Sequence, residues 1–235
     1  MSLPAPYYDD GRGIAIYHGD CRDILPLLPW RDTLITSPPY GLDANNCGYG
    51  GTKYIGADCL TESLLDAFAD ARTTYKWINV QLLSANRIMI LSWLGKRVYC
   101  LKEMMIWVKP NPQPAMNPGV LNSGFELLIC LAIQHPEQRS FQDCKWRGTV
   151  NNVQYFPSAS TSNIDADVHS ATFPPELPSF LMETFGGESF VDPCCGVGTT
   201  LRAAKDLGRK CIGIEIEEKY CEIAARRLAQ EVLPL

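Results

Sequence analysis

The residues Ser37, Pro38, Pro39 and Tyr40 interrupt the chain directly after a short apolar run that is typical of a strand. Each proline lacks a backbone donor and fixes φ, so the strand must end there. The Ser37 hydroxyl and the Pro38 carbonyl can accept hydrogen bonds, and the Tyr40 ring has a flat face. We therefore predict a stiff turn that presents acceptors and an aromatic ring to a ligand.

A second stretch that could bind a ligand is VDPCCGVGTTLRAAKDLG. Gly196 and Gly198 would let the backbone approach a ligand at the start of a helix. No lysine follows as in a P-loop, and the third glycine of the dinucleotide fingerprint is missing. Glu215 ends the next strand at close to the spacing at which an acidic residue accepts hydrogen bonds from ribose hydroxyls. A packing turn with a solvent-exposed Glu215 is the alternative.

Strands and helices alternate along the chain according to the spacing of apolar residues. Candidate strands are residues 13–17, 33–36, 87–92, 104–108, 126–133, 189–191 and 210–214, and candidate helices are residues 61–85, 174–185, 199–207 and 217–232. We predict an α/β fold with a doubly wound, mostly parallel seven-stranded sheet and helices on both faces. Residues 1–235 are expected to form a single domain, with long polar loops at 41–56 and 134–168.

Composition limits the function classes without naming one. The chain has 235 residues, a formal net charge of -5 and ten cysteines, none of them in a Cys-x-x-Cys pair. Neither a zinc knuckle nor a redox motif is indicated, and the three histidines show no metal-ligand spacing. No apolar run is long enough to span a bilayer, and the first residues do not resemble a signal peptide. We therefore expect a cytoplasmic protein without a membrane or metal partner; the charge alone does not indicate nucleic acid.

The two stretches together resemble the amino-DNA methyltransferases, which methylate an exocyclic amine of adenine or cytosine. SPPY resembles the catalytic motif of that family and DPCCGVGTT its cofactor loop. YHGDCRDIL, HSATFPPEL, MMIWVKPNP and GFELLICL resemble further motifs in the order of the circularly permuted β group. The resemblance covers nearly the whole chain and implies a Rossmann-like methyltransferase fold that binds S-adenosyl-L-methionine.

The resemblance implies a catalytic role for Ser37, Pro38, Pro39 and Tyr40. The amine nitrogen must become tetrahedral as it attacks the methyl group, and acceptors aimed at its N–H bonds favour that change. The Ser37 hydroxyl and the Pro38 carbonyl would be those acceptors, and an extruded base would stack on Tyr40. No covalent intermediate is needed, so the cysteine pair at 194–195 is assigned to the turn rather than to nucleophilic attack.

Cofactor contacts are implied on several separate segments. Asp20 would accept from the adenine amino group, although it could instead cap a helix that starts near residue 22. Phe173 would lie near the methionine moiety, although a core position is equally compatible with its type. The complete set of implied cofactor residues is Asp20, Cys21, Phe173, Asp192, Pro193, Cys194, Gly196, Gly198, Thr199, Thr200 and Glu215.

The expected substrate is double-stranded DNA. Serine in the first motif position is commoner among cytosine-N4 enzymes, so cytosine-N4 is favoured over adenine-N6. The segment at 134–168 is short for a target reader, but its Arg139, Lys145, Trp146 and Arg147 could contact phosphates or bases. A solvated loop is the alternative. Such a short recognition segment suggests a short target sequence, a homodimer that shares recognition, or recognition of the DNA by residues 41–56. Methylation of RNA or of protein glutamine, and a non-catalytic cofactor-binding subunit, are the competing functions.

Overall fold

One nine-stranded sheet forms the centre of the computed structural model, which describes residues 2–39, 60–83, 85–112, 114–115, 118–134, 136–142, 144, 146–157 and 173–230. The strands are β1 (Tyr8–Asp9), β2 (Ile14–His18), β3 (Arg31–Thr36), β4 (Thr73–Val80), β5 (Leu101–Val108), β6 (Phe125–Ala132), β7 (Val153–Tyr155), β8 (Ser189–Asp192) and β9 (Lys210–Glu215). Their order is β1-β2-β9-β8-β3-β4-β6-β5-β7. Only β1 and β6 run against the others, so the sheet is mostly parallel as predicted. Six of the seven predicted strands are present, and β1, β4 and β7 were not predicted.

Helices cover both faces of this sheet. They are α1 (Cys21–Ile24), α2 (Glu62–Ala69), α3 (Arg87–Lys96), α4 (Glu176–Phe185), α5 (Thr199–Asp206) and α6 (Glu218–Ala229). The first three contribute to one buried apolar cluster and the last three to another. Neighbouring strand residues alternate between the two clusters, as Leu34 and Ile35 show, because successive side chains of a strand point to opposite faces. The doubly wound α/β architecture is therefore confirmed.

The predicted helix over residues 61–85 is wrong beyond its first turns. Helix α2 ends at Ala69, and the central strand β4 occupies Thr73–Val80. All but one of the residues of β4 are buried, because both faces of the strand are covered. A strand buried on both faces has no apolar-polar alternation, so its apolar residues can match a helical spacing by chance.

The predicted strand over residues 87–92 is also wrong, because α3 occupies this segment. Its apolar run suggested a strand, but only Ile90 and Trp93 on this helix are buried, three residues apart as on one helix face. The loop before α3 is held by Asn86, whose side chain accepts from the Leu83 amide at 2.8 Å and donates to the Gln81 carbonyl at 3.1 Å. The other predicted elements agree with the structure to within a few residues wherever they are described.

The order of the strands opens a crevice between β8 and β3. From β8 the chain continues outward to β9, whereas from β3 it continues in the opposite direction to β4. Connections that leave in opposite directions cannot fill the space above the carboxyl ends of these two strands, which is where doubly wound sheets bind ligands. Both β3 and β8 end at predicted site residues. Among the described residues, no helix is long and apolar enough to cross a membrane.

Lys76 on β4 is a buried charged residue whose effect on stability can be measured. Its side chain is fully buried and donates to the Thr73 carbonyl at 2.8 Å, and burial lowers the pKa of Lys76 from 10.5 to about 8. Below pH 8 the folded protein therefore carries a protonation penalty of roughly 3 kcal/mol, which disappears as the pH rises towards 10.5. After subtracting the lost hydrogen bond, we expect Lys76→Met to raise the free energy of unfolding at pH 7 by about 2 kcal/mol.

Urea unfolding of both proteins at pH 7 and pH 10 measures this effect. The advantage of the variant should shrink at the higher pH, because only the wild-type protein gains stability there. An advantage of the same size at both pH values would contradict the assignment of the effect to the buried charge.

Candidate active site at the carboxyl edge of the sheet

The glycine turn between β8 and α5 has the backbone conformation that its sequence predicts. Gly196 has φ of 50° and Gly198 has φ of 81°, both in the left-handed region that favours glycine. A Cβ on Gly198 would lie 3.0 Å from the Cβ of Ala224 on α6. The turn is fixed by the Cys195 amide, which donates to the Ile214 carbonyl at 3.0 Å. It is thus packed closely between β9 and α6.

Two supports of the glycine turn were not found from the sequence. Arg227 on α6 donates from Nη1 to the Val197 carbonyl at 2.6 Å. Gly213 on β9 leaves room for the turn, because a Cβ there would lie 2.7 Å from the Cys195 sulfur and 2.8 Å from Leu201. No local sequence pattern could have predicted either contact, since both depend on how β9 and α6 pack against the turn.

Glu215 is buried and tied to the same turn. Its Oε2 accepts from the Gly196 amide at 2.8 Å and its Oε1 from the Glu217 amide at 2.9 Å. The alternative of a solvent-exposed Glu215 is therefore wrong. The carboxylate braces the turn from the end of β9, next to the crevice above β8.

Asp192 is the buried carboxylate at the end of β8. Its Oδ2 accepts from the Thr200 hydroxyl at 2.5 Å and its Oδ1 from the Cys194 amide at 3.1 Å. Burial raises the pKa of Asp192 from 3.8 to about 6, although hydrogen bonds from Thr200 and Cys194 and the nearby Thr36 hydroxyl favour the charged form. The Thr36 hydroxyl lies near Asp192, but within the described part of the chain no group is close enough and well enough aligned to form a hydrogen bond with it. The Asp192 carboxylate therefore joins β8, the turn and the first turn of α5.

We expect Asp192→Asn to remove a pH dependence of stability. Because the folded-state pKa of Asp192 lies above its ordinary value, the native state binds the proton more tightly than the unfolded state between pH 3.8 and about 6. The wild-type protein should therefore lose roughly 3 kcal/mol relative to the variant as the pH rises through this window. Denaturant unfolding of both proteins from pH 4 to 7 measures the difference in their free energies of unfolding. The contributions of the other carboxylates are the same in both proteins and cancel in this difference. A difference that stays constant with pH would contradict the raised pKa.

Asp20 follows β2 and caps α1. Its Oδ1 accepts from the Arg22 amide at 2.9 Å and its carboxylate forms an ion pair with the Arg22 guanidinium, which lowers the pKa of Asp20. The adjacent Gly19 amide donates to the Glu215 carbonyl at 2.9 Å, so the Asp20 turn lies beside the end of β9. The helix-cap alternative is thus confirmed as a structural role, and a cofactor contact would have to share the carboxylate with Arg22.

The remaining predicted cofactor residues fall into two groups. Pro193, Cys194, Thr199 and Thr200 belong to the glycine turn and the start of α5, and the Cys194 thiol lies against that of Cys21. Burial raises the pKa of the neighbouring Cys195 thiol well above its ordinary value, which disfavours the thiolate that nucleophilic attack requires. The buried ring of Phe173 packs in the apolar cluster that contains α4, as its core alternative expects, and its contact with the methionine moiety stays a prediction.

Ser37 lies directly after β3, on the other side of the crevice from Asp192. Its hydroxyl oxygen accepts from Asn79 Nδ2 at 3.3 Å, and the same nitrogen donates to Glu126 Oε2 at 2.6 Å. Lys109 Nζ pairs with Glu126 Oε1 at 2.5 Å. Pro38 and Pro39 continue from Ser37, whereas Tyr40 lies outside the described residues. Asn79 was missed because its strand had been taken for a helix.

The aromatic part of the expected target reader packs against the domain. Trp146 donates from Nε1 to the Thr184 carbonyl at 3.0 Å, and its half-buried ring contacts the rings of Phe141 and Phe185. Arg139 and Arg147 are exposed, and Lys145 lies outside the described residues. Within the described ranges, no group of three His, Cys, Asp or Glu side chains could hold a metal ion.

The structure thus aligns the predicted residues along one edge of the sheet. In spatial order, the strand ends carry Asp20 after β2, Glu215 on β9, Asp192 and the glycine turn after β8, Ser37 after β3, and Asn79 on β4. Acidic acceptors and a close-approach turn therefore lie on one side of the crevice. A hydroxyl held by a buried amide lies on the other.

Known proteins share this sequence and architecture. The family model for DNA methylases of the N6/N4 type matches residues 32–226. The type II methyltransferase M2.DpnII of Streptococcus pneumoniae is 23% identical over 252 residues, which cover 97% of this chain and 94% of that protein. The type II methyltransferase M.ScaI of Streptomyces caespitosus is 26% identical over 273 residues, with coverage of 100% and 87%.

Two solved structures share the fold. The PvuII DNA methyltransferase, described as cytosine-N4-specific, has a TM-score of 0.69 at 16% identity and covers 94% of this chain and 88% of its own. The M1.HpyAVI complex with S-adenosyl-L-methionine has a TM-score of 0.66 at 21% identity, with coverage of 92% and 100%. The chain therefore belongs to the N6/N4 DNA methylase family, whose members are enzymes that use S-adenosyl-L-methionine as the methyl donor.

Proposed function

We propose that this enzyme methylates an exocyclic amine of a base flipped out of double-stranded DNA, and that the base is cytosine, modified at N4. The observation that supports this proposal is the position of Ser37 at the crevice opposite the glycine turn, with its hydroxyl held by a buried amide. A neutral hydroxyl at this position favours cytosine-N4, as expected from the family pattern, in which Asp favours adenine-N6.

The cofactor side of the crevice fits S-adenosyl-L-methionine. Asp20 and Glu215 stand on adjacent strand ends, where their carboxylates can accept from the adenine amino group and the ribose hydroxyls. Each carboxylate already accepts hydrogen bonds within the protein, which fixes its orientation. The glycine turn and the start of α5 let the backbone approach the ligand. When bound, the cofactor supplies a methyl group on a sulfonium sulfur.

Ser37 and Pro38 would act on the amine of the target base. That nitrogen is a poor nucleophile because its lone pair is delocalised into the ring. The Ser37 hydroxyl oxygen and the Pro38 carbonyl would accept from its two N–H bonds and favour the tetrahedral nitrogen as positive charge develops. The nitrogen would gain the methyl group and release one proton to water, and the cofactor would leave as its neutral thioether. The proposed roles of Pro39 and Tyr40 are to hold the turn rigid and to stack on the base.

We propose that residues 1–235 act as one methyltransferase domain, in which part of the segment at 134–168 contacts the target DNA. Exposed Arg139 and Arg147 support phosphate contacts by this segment, while its packed Trp146 ties it to α4. A homodimer that shares recognition is a separate proposal, which sedimentation velocity with and without DNA would test.

Nucleoside mass spectrometry tests the proposed reaction. The purified protein would be incubated with methyl-deuterated S-adenosyl-L-methionine and a DNA of mixed sequence, and the DNA then digested to nucleosides. We expect deuterated N4-methyldeoxycytidine. Recovery of deuterated N6-methyldeoxyadenosine would instead identify adenine as the target base. Label recovered only in parallel RNA or protein samples would overturn DNA as the substrate.

A further inference from the structure

A chain of four polar side chains leads from Ser37 into the protein. Asn79 Nδ2 lies 3.3 Å from the Ser37 hydroxyl oxygen and 2.6 Å from Glu126 Oε2, and Lys109 Nζ lies 2.5 Å from Glu126 Oε1. Asn79 lies near the carboxyl end of β4, Glu126 lies near the start of β6, and Lys109 directly follows β5. Three neighbouring strands therefore contribute one residue each to a network that reaches the proposed catalytic turn.

Burial makes this network costly as a purely structural device. Asn79 is 1% exposed and Glu126 is 4% exposed, and the Lys109 side chain is 16% exposed. An ion pair at such depth loses most of its hydration, and apolar residues of similar volume often stabilise a protein equally well or better. A role in fixing geometry therefore explains this ion pair beside Ser37 better than stability does.

The carboxylate of Glu126 determines which end of the Asn79 amide faces Ser37. A carboxylate 2.6 Å away can accept from the amide nitrogen but would repel the amide oxygen, so the NH₂ group must point towards it. The same nitrogen then directs its second hydrogen to Ser37. Lys109 holds Glu126 from the other side, and its ammonium also lies 5.2 Å from the centre of the Trp107 ring.

An N–H donor aimed at Ser37 restricts what the hydroxyl can do. The hydroxyl oxygen has two acceptor sites, and one of them is directed to Asn79. This limits rotation of the hydroxyl and fixes the direction of the second site. The network thus orients an acceptor without touching the substrate.

We propose that Asn79, held by Glu126 and Lys109, is a positioning residue that orients the Ser37 hydroxyl to accept from the target amine. This inference rests on the catalytic role proposed for Ser37. Because a misplaced catalytic group can reduce a rate by about 100-fold, we expect Asn79→Ala and the isosteric Glu126→Gln to lower the single-turnover rate of methyl transfer on the order of 10-fold to 100-fold. The dissociation constants for cofactor and DNA should stay within about 2-fold, because the network contacts neither ligand.

Asp32→Asn is the matched control. Asp32 lies at the opposite edge on β3, where its carboxylate accepts from the Glu188 and Ser189 amides, each at 2.8 Å. This variant should lower the melting temperature while leaving the rate at the wild-type level. Rate losses in all three variants that follow their melting temperatures would overturn the positioning role.

A double-mutant cycle with Ser37→Ala separates positioning from general damage. If Asn79 acts through Ser37, adding Asn79→Ala to Ser37→Ala should reduce the rate little further. A rate loss in the double variant equal to the product of the two single-variant losses would overturn the inference. Wild-type rates in both Asn79→Ala and Glu126→Gln would also overturn it. Glu126→Gln preserves the size of the side chain but replaces one acceptor oxygen by a donor NH₂ group, so it repeats the cycle if Asn79→Ala does not fold. An unchanged rate in Ser37→Ala alone would instead overturn the proposed function.

Discussion

Gly198→Val is expected to lower the affinity for S-adenosyl-L-methionine by about 100-fold and to destabilise the protein by roughly 3 kcal/mol. Gly198 has φ of 81°, which a β-branched residue adopts only with strain, and its Cβ would lie 3.0 Å from the Ala224 Cβ. Relief of this contact would shift the turn or α6, and with it the backbone that approaches the cofactor. Isothermal titration calorimetry on the folded variant, verified by circular dichroism, measures the affinity.

Gly208→Val provides the matched control for this prediction. Gly208 follows the other end of α5 and also has positive φ, at 67°, but a Cβ there would meet nothing within 4 Å. Backbone strain is thus common to the two variants, whereas only Gly198→Val adds the collision with Ala224 and alters a turn proposed to approach the cofactor. Gly208→Val should lose stability and keep the cofactor affinity. Equal losses of affinity in the two variants would show that the effect is a general one of stability.

Ser37→Ala is expected to reduce methyl transfer by about 100-fold while leaving cofactor affinity unchanged. The variant removes an acceptor that would be used in the transition state and leaves one N–H of the buried Asn79 without this partner. Losing one preorganised polar group in an active site commonly costs a factor of this size. Single-turnover transfer of the deuterated methyl group to DNA, followed by mass spectrometry, measures the rate.

Ser189→Ala tests whether loss of any half-buried serine hydroxyl has the same effect. Ser189 begins β8 at the opposite edge of the sheet, where its hydroxyl donates to Asp32 at 3.0 Å. We expect a modest loss of stability and an unchanged rate. The proposed division of roles would be contradicted if Ser37→Ala weakened cofactor binding as much as Gly198→Val does.

The parts of the site that are contiguous in sequence could be predicted from it. The Ser-Pro-Pro turn and the glycine turn are local structures, because proline and glycine restrict or release the backbone at their own positions. Their meeting across one crevice followed from the expected sheet, since parallel strands end at a shared edge. For the same reason, the sequence places Glu215 at the edge of the sheet that carries the glycine turn.

Contacts between distant segments could not be predicted in this way. Asn79 lies on a strand whose burial on both faces erased the alternation that identifies strands. Arg227 and Gly213 support the glycine turn only because α6 and β9 pack against it. Trp146 looked suitable for base stacking, but in the fold its half-buried ring packs against Phe141 and Phe185. In each case tertiary packing decided the role of the residue.

The pairing of β2 with β9 affects how the chain folds during translation. Tyr17 aligns with Ile214, and His18 contacts the Ile216 carbonyl across a separation of 198 residues. At translation rates of about 5–20 residues per second, Asp20 leaves the ribosome at least roughly 10 s before the strand that completes its surroundings. A growing chain therefore lacks the strand beside Asp20 until β9 has emerged, so the surroundings of this turn are completed only after the residues of β9 have been synthesised.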